Sequence, residues 1–139
     1  MAETGVARTL DTTADALWEC VRDFGDLRWI PGDLQVEVRG EGVGQVRIVD
    51  RPHGAVHERL TSLDDAARTL TYTVPIGNPF PVSDYEATIT VSDDGGRGRI
   101  AWSCRFASDP AREEEIAAGL QKRYRHMMRW IEAHLREVR

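Results

Sequence analysis

The chain has 139 residues, of which 41% are hydrophobic and 29% charged, with a formal net charge of −5. This size and balance predict one soluble globular domain over residues 1–139, and the acidic excess argues against nucleic acid or an anionic membrane as partner. No run approaches the ~20 apolar residues of a membrane helix, the first ten residues lack the basic and apolar regions of a secretory signal, and Cys20 and Cys104 form no CxxC pair, so two free thiols in a reducing cytoplasm are expected.

In chain order, residues 4–10 predict a short first strand. Asp11 to Asp15 then offer capping side chains, and Ala14, Leu17, Trp18 and Val21 recur at helical spacing up to Phe24-Gly25. A second short helical turn through Leu27 and Trp29 ends at Pro31-Gly32. From there the pattern alternates. Leu34, Val36 and Val38 share a face, the turn GEGVG at 40–44 leads into QVRIVD, and RPHG separates that strand from the next. Val56, Glu58 and Leu60 share one face of the following strand, with His57, Arg59 and Thr61 on the other. Leu70, Tyr72 and Val74 point one way in the next strand, as do Tyr85, Ala87, Ile89 and Val91 in the one after. A last strand aligns Trp102, Cys104 and Phe106. Asp109-Pro110 then opens a long helix over 110–138, with Ile116, Leu120, Tyr124, Met127, Ile131 and Leu135 in one apolar stripe. Its acidic start (Glu113 to Glu115) and basic end (Arg123, Arg125, Arg129, Arg136, Arg139) complement the helix dipole.

This order predicts an α+β fold in which a curved antiparallel sheet of about seven strands wraps a long C-terminal helix, with two short helices after the first strand. A strongly curved sheet needs something to fill its concave face, and only the last helix is long enough. Glu58 stands out, because a carboxylate on a wall otherwise built of apolar residues is costly unless it is paired or faces a wet cavity. A sheet around a pocket therefore fits better than a solid core.

The segments 14–32, 40–49, 57–74, 83–91 and 100–110, together with the final helix, resemble the START-like, birch-pollen-allergen-like helix-grip superfamily and its polyketide cyclase/dehydrase branch. The run ERLTSLDDAARTLTY is similar to the plant abscisic acid receptors and their bacterial relatives. The resemblance implies a hydrophobic cavity for a lipid-like, hormone-like or ring-bearing molecule, and it implies no single activity. Carried over by position, it puts Arg47, Val49, Val56, Glu58, Tyr72, Val74, Tyr85, Ala87, Trp102, Leu120 and Tyr124 on the cavity wall. Residues 51–55 would match the receptors' gate and 77–82 their latch. Here the gate is shorter and the latch lacks a His-Arg-Leu triplet, so hormone-gated phosphatase inhibition is not expected.

Glu58 reads first as a buried ion pair with Arg47, then as a ligand anchor, then as a general acid or base. Alternation leaves Arg47 open, because Val46 and Ile48 compete with it for the inside. Tyr72, Tyr85 and Tyr124 supply hydroxyls that need partners when buried, and such groups commonly orient a ligand. Trp102 and Met127 supply apolar wall, and His53 in the loop 51–55 faces Phe80, the apolar residue expected to close the mouth. His53 and His57 are four apart on loop and strand rather than on one helical face, so no metal is expected. GEGVG precedes a strand, which removes dinucleotide binding, and no organic cofactor is expected. The expected function is binding of a small hydrophobic molecule by a monomer or homodimer. Arg47, Glu58, Tyr72 and Tyr85 would be the catalytic groups if the cavity also cyclises or dehydrates its ligand. The alternative is a non-catalytic carrier or sensor.

Overall fold

In the computed structural model, residues 1–137 are described. Arg139 and the expected helix end at 138 lie outside the described residues. Strand β1 (Ala2–Leu10) leads into helix α1 (Ala14–Arg22), and then come β2 (Val36–Arg39), β3 (Val46–Val49), β4 (Val56–Asp64), β5 (Thr69–Ile76), β6 (Ser83–Asp94) and β7 (Arg97–Ala107). A 3-10 turn at Pro110–Arg112 continues into helix α2 (Glu113–Glu137).

The seven strands make one antiparallel sheet in the order β1-β7-β6-β5-β4-β3-β2. Strands β2 to β7 are consecutive hairpins, and β1 closes the far edge against β7, with Ala2 opposite Phe106 and Leu10 opposite Gly98. Register shifts interrupt β4–β5 pairing near Glu58 and Thr61, and β6–β7 pairing between Ser83 and Glu86. Such bulges bend a strand and raise its twist, which curves the sheet.

Helix α2 lies across the concave face. Its expected stripe is buried from Ile116 to Leu135, with Met128 added, and 25 residues reach about 37 Å. Asp109 caps the 3-10 turn through Ala111 N (3.0 Å). Of the capping candidates before α1, Thr13 takes the role, accepting from Ala16 N at 3.1 Å. The second short helix is absent from this segment. In its place are two tight turns, closed by Asp26 N to Asp23 O and Ile30 N to Leu27 O, both at 3.0 Å. The eight residues from Asp23 to Ile30, with Gly25 among them, are too few to propagate a helix without an amphipathic partner face. The turns nevertheless bury Phe24, Leu27, Trp29 and Ile30, which caps one end of the sheet–helix space. Among the described residues no helix is long and apolar enough to cross a membrane.

Candidate ligand-binding cleft

The side chains that leave the sheet toward α2 do not fill the space at one end. A cleft opens there between β3, β4, β5, β6, the 24–30 turns, the 77–82 loop and α2. Its void is about 650 Å3 counted out through the mouth, and about 60 Å3 counted as room for the centre of a water-sized sphere. A single water needs about 10–15 Å3 by the latter measure, so the cleft is narrow, with room for a few waters.

Strand alternation places its walls. Val49 on β3, Val56 on β4 and Val74 on β5 present methyl groups, while Leu120 and Met127 face them from α2. Leu27, Trp29 and Ile30 close one side, and Asn78, Pro79 and Phe80 stand at the mouth. Phe80 packs against the helix at Gly119, where a Cβ atom would lie 2.9 Å from Phe80 Cε1. Gly77 lets the 77–82 loop cross the 51–55 loop: its φ is +81°, and a Cβ there would lie 2.2 Å from the Ala55 carbonyl oxygen.

Arg47 points inward. Register puts it directly opposite Glu58, and its Nε donates to Glu58 Oε1 at 2.8 Å. Nη1 donates to the Phe24 carbonyl at 2.7 Å, and the guanidinium stacks 3.8 Å from the Phe24 ring centroid. The side chains are 9% and 18% exposed, so this is a desolvated pair with Glu58 the more open partner. It ties β3, β4 and the turn after α1 into one unit.

The three tyrosines form the polar floor. The Tyr85 and Tyr124 hydroxyls hydrogen-bond to each other, and Tyr72 accepts from Trp102 Nε1 at 3.1 Å. Burial pushes all three phenols well above their ordinary range, with the Glu58 charge adding to the effect at Tyr72. They are therefore neutral at physiological pH and act as hydroxyl donors or acceptors.

Two expected wall residues, Trp102 and Ala87, and the expected loop contact His53 lie elsewhere. Trp102 is 1% exposed and stacks on the far side of Tyr124, with centroids 5.3 Å apart and planes at 13°. It supports the wall from behind. Ala87 is fully buried beneath the same layer. His53 is exposed and does not line the cleft, because the loop turns it outward and Arg51 takes the inward place. Arg51 and Arg123 are lining residues that strand alternation could not find. For Arg123 a signal exists: it is three residues after Leu120 and four before Met127, so it belongs to the inward side of α2. Cys104 is buried and Cys20 half-buried, both free. Burial, aided by the Asp26 and Asp23 charges, pushes the Cys20 thiol up to about 11.

A sheet gripping a long helix around a one-ended cleft defines the START-like, birch-pollen-allergen-like class of helix-grip proteins. Within it the chain belongs to the family described as polyketide cyclase/dehydrase and lipid transport, whose model matches residues 1–136. Among solved structures, protein XoxI from Bacillus cereus is 23% identical, with 99% of this chain and 98% of that chain covered and a TM-score of 0.82. Norcoclaurine synthase from Thalictrum flavum, in complex with dopamine and hydroxybenzaldehyde, is 19% identical over 99% of this chain and 88% of that one, with a TM-score of 0.79. The di-domain ARO/CYC protein BexL of the BE-7585A biosynthetic pathway is 18% identical over 96% of this chain and 46% of that one, with a TM-score of 0.80. At these identities the likeness is one of fold. Comparison with curated proteins gives no match.

Proposed function

We propose that the domain binds a small hydrophobic or ring-bearing molecule, polyketide-like, lipid-like or hormone-like, in the cleft between the sheet and α2. The observation that carries this reading is the lining itself. Aromatic and aliphatic side chains from four strands and a helix surround a void that Arg47, Arg51, Glu58, Asn78 and Arg123 also border, a mixture that small-molecule sites use to combine affinity with orientation. Phe80 would act as the movable cover. It sits on a loop, and loops open more readily than the sheet that carries them.

A second reading, cyclisation or dehydration of the bound molecule, is supported by the neutral phenols. A carbonyl oxygen of the bound molecule would accept from the Tyr85 or Tyr124 hydroxyl, which is held in place beforehand and would polarise that carbonyl. The walls would fold a flexible chain so that its reacting carbons meet. Glu58 faces the same space, but its Oε1 is already taken by Arg47 Nε at 2.8 Å. Glu58 and Arg47 are accordingly proposed as a structural pair that borders the ligand, and Tyr72 as a support for the wall.

Native mass spectrometry of the protein purified from its own host tests the binding reading. A co-purifying small molecule that is lost on denaturation is expected. Protein that is homogeneously empty, and that binds no neutral hydrophobic dye when one is added, would contradict it.

A further inference from the structure

Two guanidinium groups at the mouth of the cleft have no carboxylate bonded to them. Arg51 follows β3, and Arg123 lies on α2 one turn beyond Leu120; both are half-buried and both line the cleft. Among the described residues neither guanidinium makes an ion pair or a hydrogen bond. Their burial sets them apart, because the other described arginines without an ion pair, Arg8, Arg59, Arg97, Arg99, Arg125 and Arg129, are exposed. Arg22, Arg28, Arg39, Arg68, Arg105 and Arg136 all find carboxylates on the surface, as expected in a chain with 23 acidic and 18 basic residues. The one carboxylate in the lining, Glu58, is bonded to Arg47. The cleft of an acidic protein therefore carries two net positive charges.

Holding the two cations together is unfavourable. Burial first, and then the Arg123 charge, lower the proton affinity of the Arg51 guanidinium, and the Glu58 charge offsets only part of this. Two arginines lining one partly desolvated mouth, with no carboxylate bonded to either, suit an oxyanion supplied from outside. Planar guanidinium forks match that geometry, and reduced solvation strengthens the attraction.

We propose that the ligand of this cleft is an anion, an apolar or ring-bearing body ending in one carboxylate or similar oxyanion, with its head held between Arg51 and Arg123. This rests on the binding function proposed above and narrows it. The apolar end would point inward to the Tyr85–Tyr124 floor and the head outward to the mouth. Amine ligands would be rejected by charge, and neutral lipids would bind without this contribution.

The test uses two dyes of the same ring skeleton on the whole chain, the anion 1-anilinonaphthalene-8-sulfonate and neutral N-phenyl-1-naphthylamine. The anion is expected to bind about tenfold tighter at low salt, the size of a charge-assisted contact, and to lose that advantage as salt is raised. Arg51→Gln and Arg123→Gln should each weaken the anion about tenfold and leave the neutral dye unchanged, whereas Arg129→Gln, an exposed substitution, should change neither. If the neutral dye binds and the anion shows no salt-dependent advantage, the anion proposal is overturned and the apolar cleft stands. If neither dye binds, the cleft reading fails and takes this proposal with it. A preference for the anion that Arg129→Gln abolishes and the mouth variants keep would place the dye on the outer surface, and would also overturn the proposal. Should a mouth variant not fold, the salt dependence of the wild-type preference still decides.

Discussion

Replacing Glu58 by Leu should destabilise the protein through Arg47 more than through Glu58 itself. The substitution removes the acceptor 2.8 Å from Arg47 Nε and leaves a guanidinium whose side chain is 9% exposed without its counter-charge. Breaking a buried pair in this way typically costs about 3–5 kcal/mol. Glu58 is 18% exposed, and Arg47 keeps its bond to the Phe24 carbonyl, so the low end applies, about 3 kcal/mol. For a chain of this length about 4 °C of midpoint accompanies each kcal/mol, which places the Glu58→Leu midpoint about 12 °C below wild type. Replacing both partners, Arg47→Met with Glu58→Leu, removes both buried charges and leaves the Phe24 carbonyl without its donor, a loss of about 1 kcal/mol, or about 4 °C. The double variant should therefore melt above the Glu58→Leu single variant. Thermal unfolding followed by circular dichroism reads all of these. A Glu58→Leu midpoint within 2 °C of wild type on the scale above, or a double variant that melts below both singles, would refute the argument that the pair is desolvated.

Phe80→Ala should speed release of bound N-phenyl-1-naphthylamine in stopped-flow fluorescence and leave the midpoint nearly unchanged, because the ring is half-buried at the mouth; release at the wild-type rate, or a midpoint loss typical of a core residue, would remove it from the entrance. Gly119→Ala places a methyl 2.9 Å from Phe80 Cε1 and should likewise speed release, while helix propensity favours the variant by about 1 kcal/mol. Gly77→Ala forces a left-handed backbone and a collision with the Ala55 carbonyl, so a loss of about 2–3 kcal/mol is expected in chemical denaturation. Asp65 accepts from Arg22 and from the Trp18 indole, and the Arg22 guanidinium, then the indole, hold its carboxyl below the ordinary value of 3.8. Its folded-state pKa is thus depressed, so its contribution is complete above the unfolded value and is lost as pH falls below it. Asp65→Asn should flatten the acid limb of stability below pH about 4, read by circular dichroism, with a constant offset at higher pH.

The strands were legible because each carries a period of two, and α2 because its stripe from Ile116 to Leu135 has a period near 3.6. Side-chain alternation assigns a face, however, and a face is not a cavity wall. Trp102 and Ala87 share the concave face with Tyr72, yet Tyr124 lies over Trp102 and both residues are sealed in the core. Which concave positions border empty space depends on where α2 crosses the sheet, a long-range fact without local pattern. Arg47 was undecided for the same kind of reason. Val46 and Ile48 competed for the interior, and pairing with Glu58 across the β3–β4 register settles the contest. Arg51 and His53 sit in a loop with no periodicity, so only the fold shows that Arg51 turns inward and His53 outward. Leu27, Trp29 and Ile30 were readable as apolar, but their place at the end of the cleft comes from the turns that replace a second helix.

The most direct test of the binding account is a methyl NMR titration of the whole chain with N-phenyl-1-naphthylamine. The account predicts saturable shifts at Val49, Val56, Val74, Leu120 and Met127, the methyl groups that line the cleft, with Ile131 and Ile100, sealed elsewhere in the core, unmoved. Shifts confined to exposed methyls such as Val38 and Val43, or no saturable shift at any lining methyl, would contradict it.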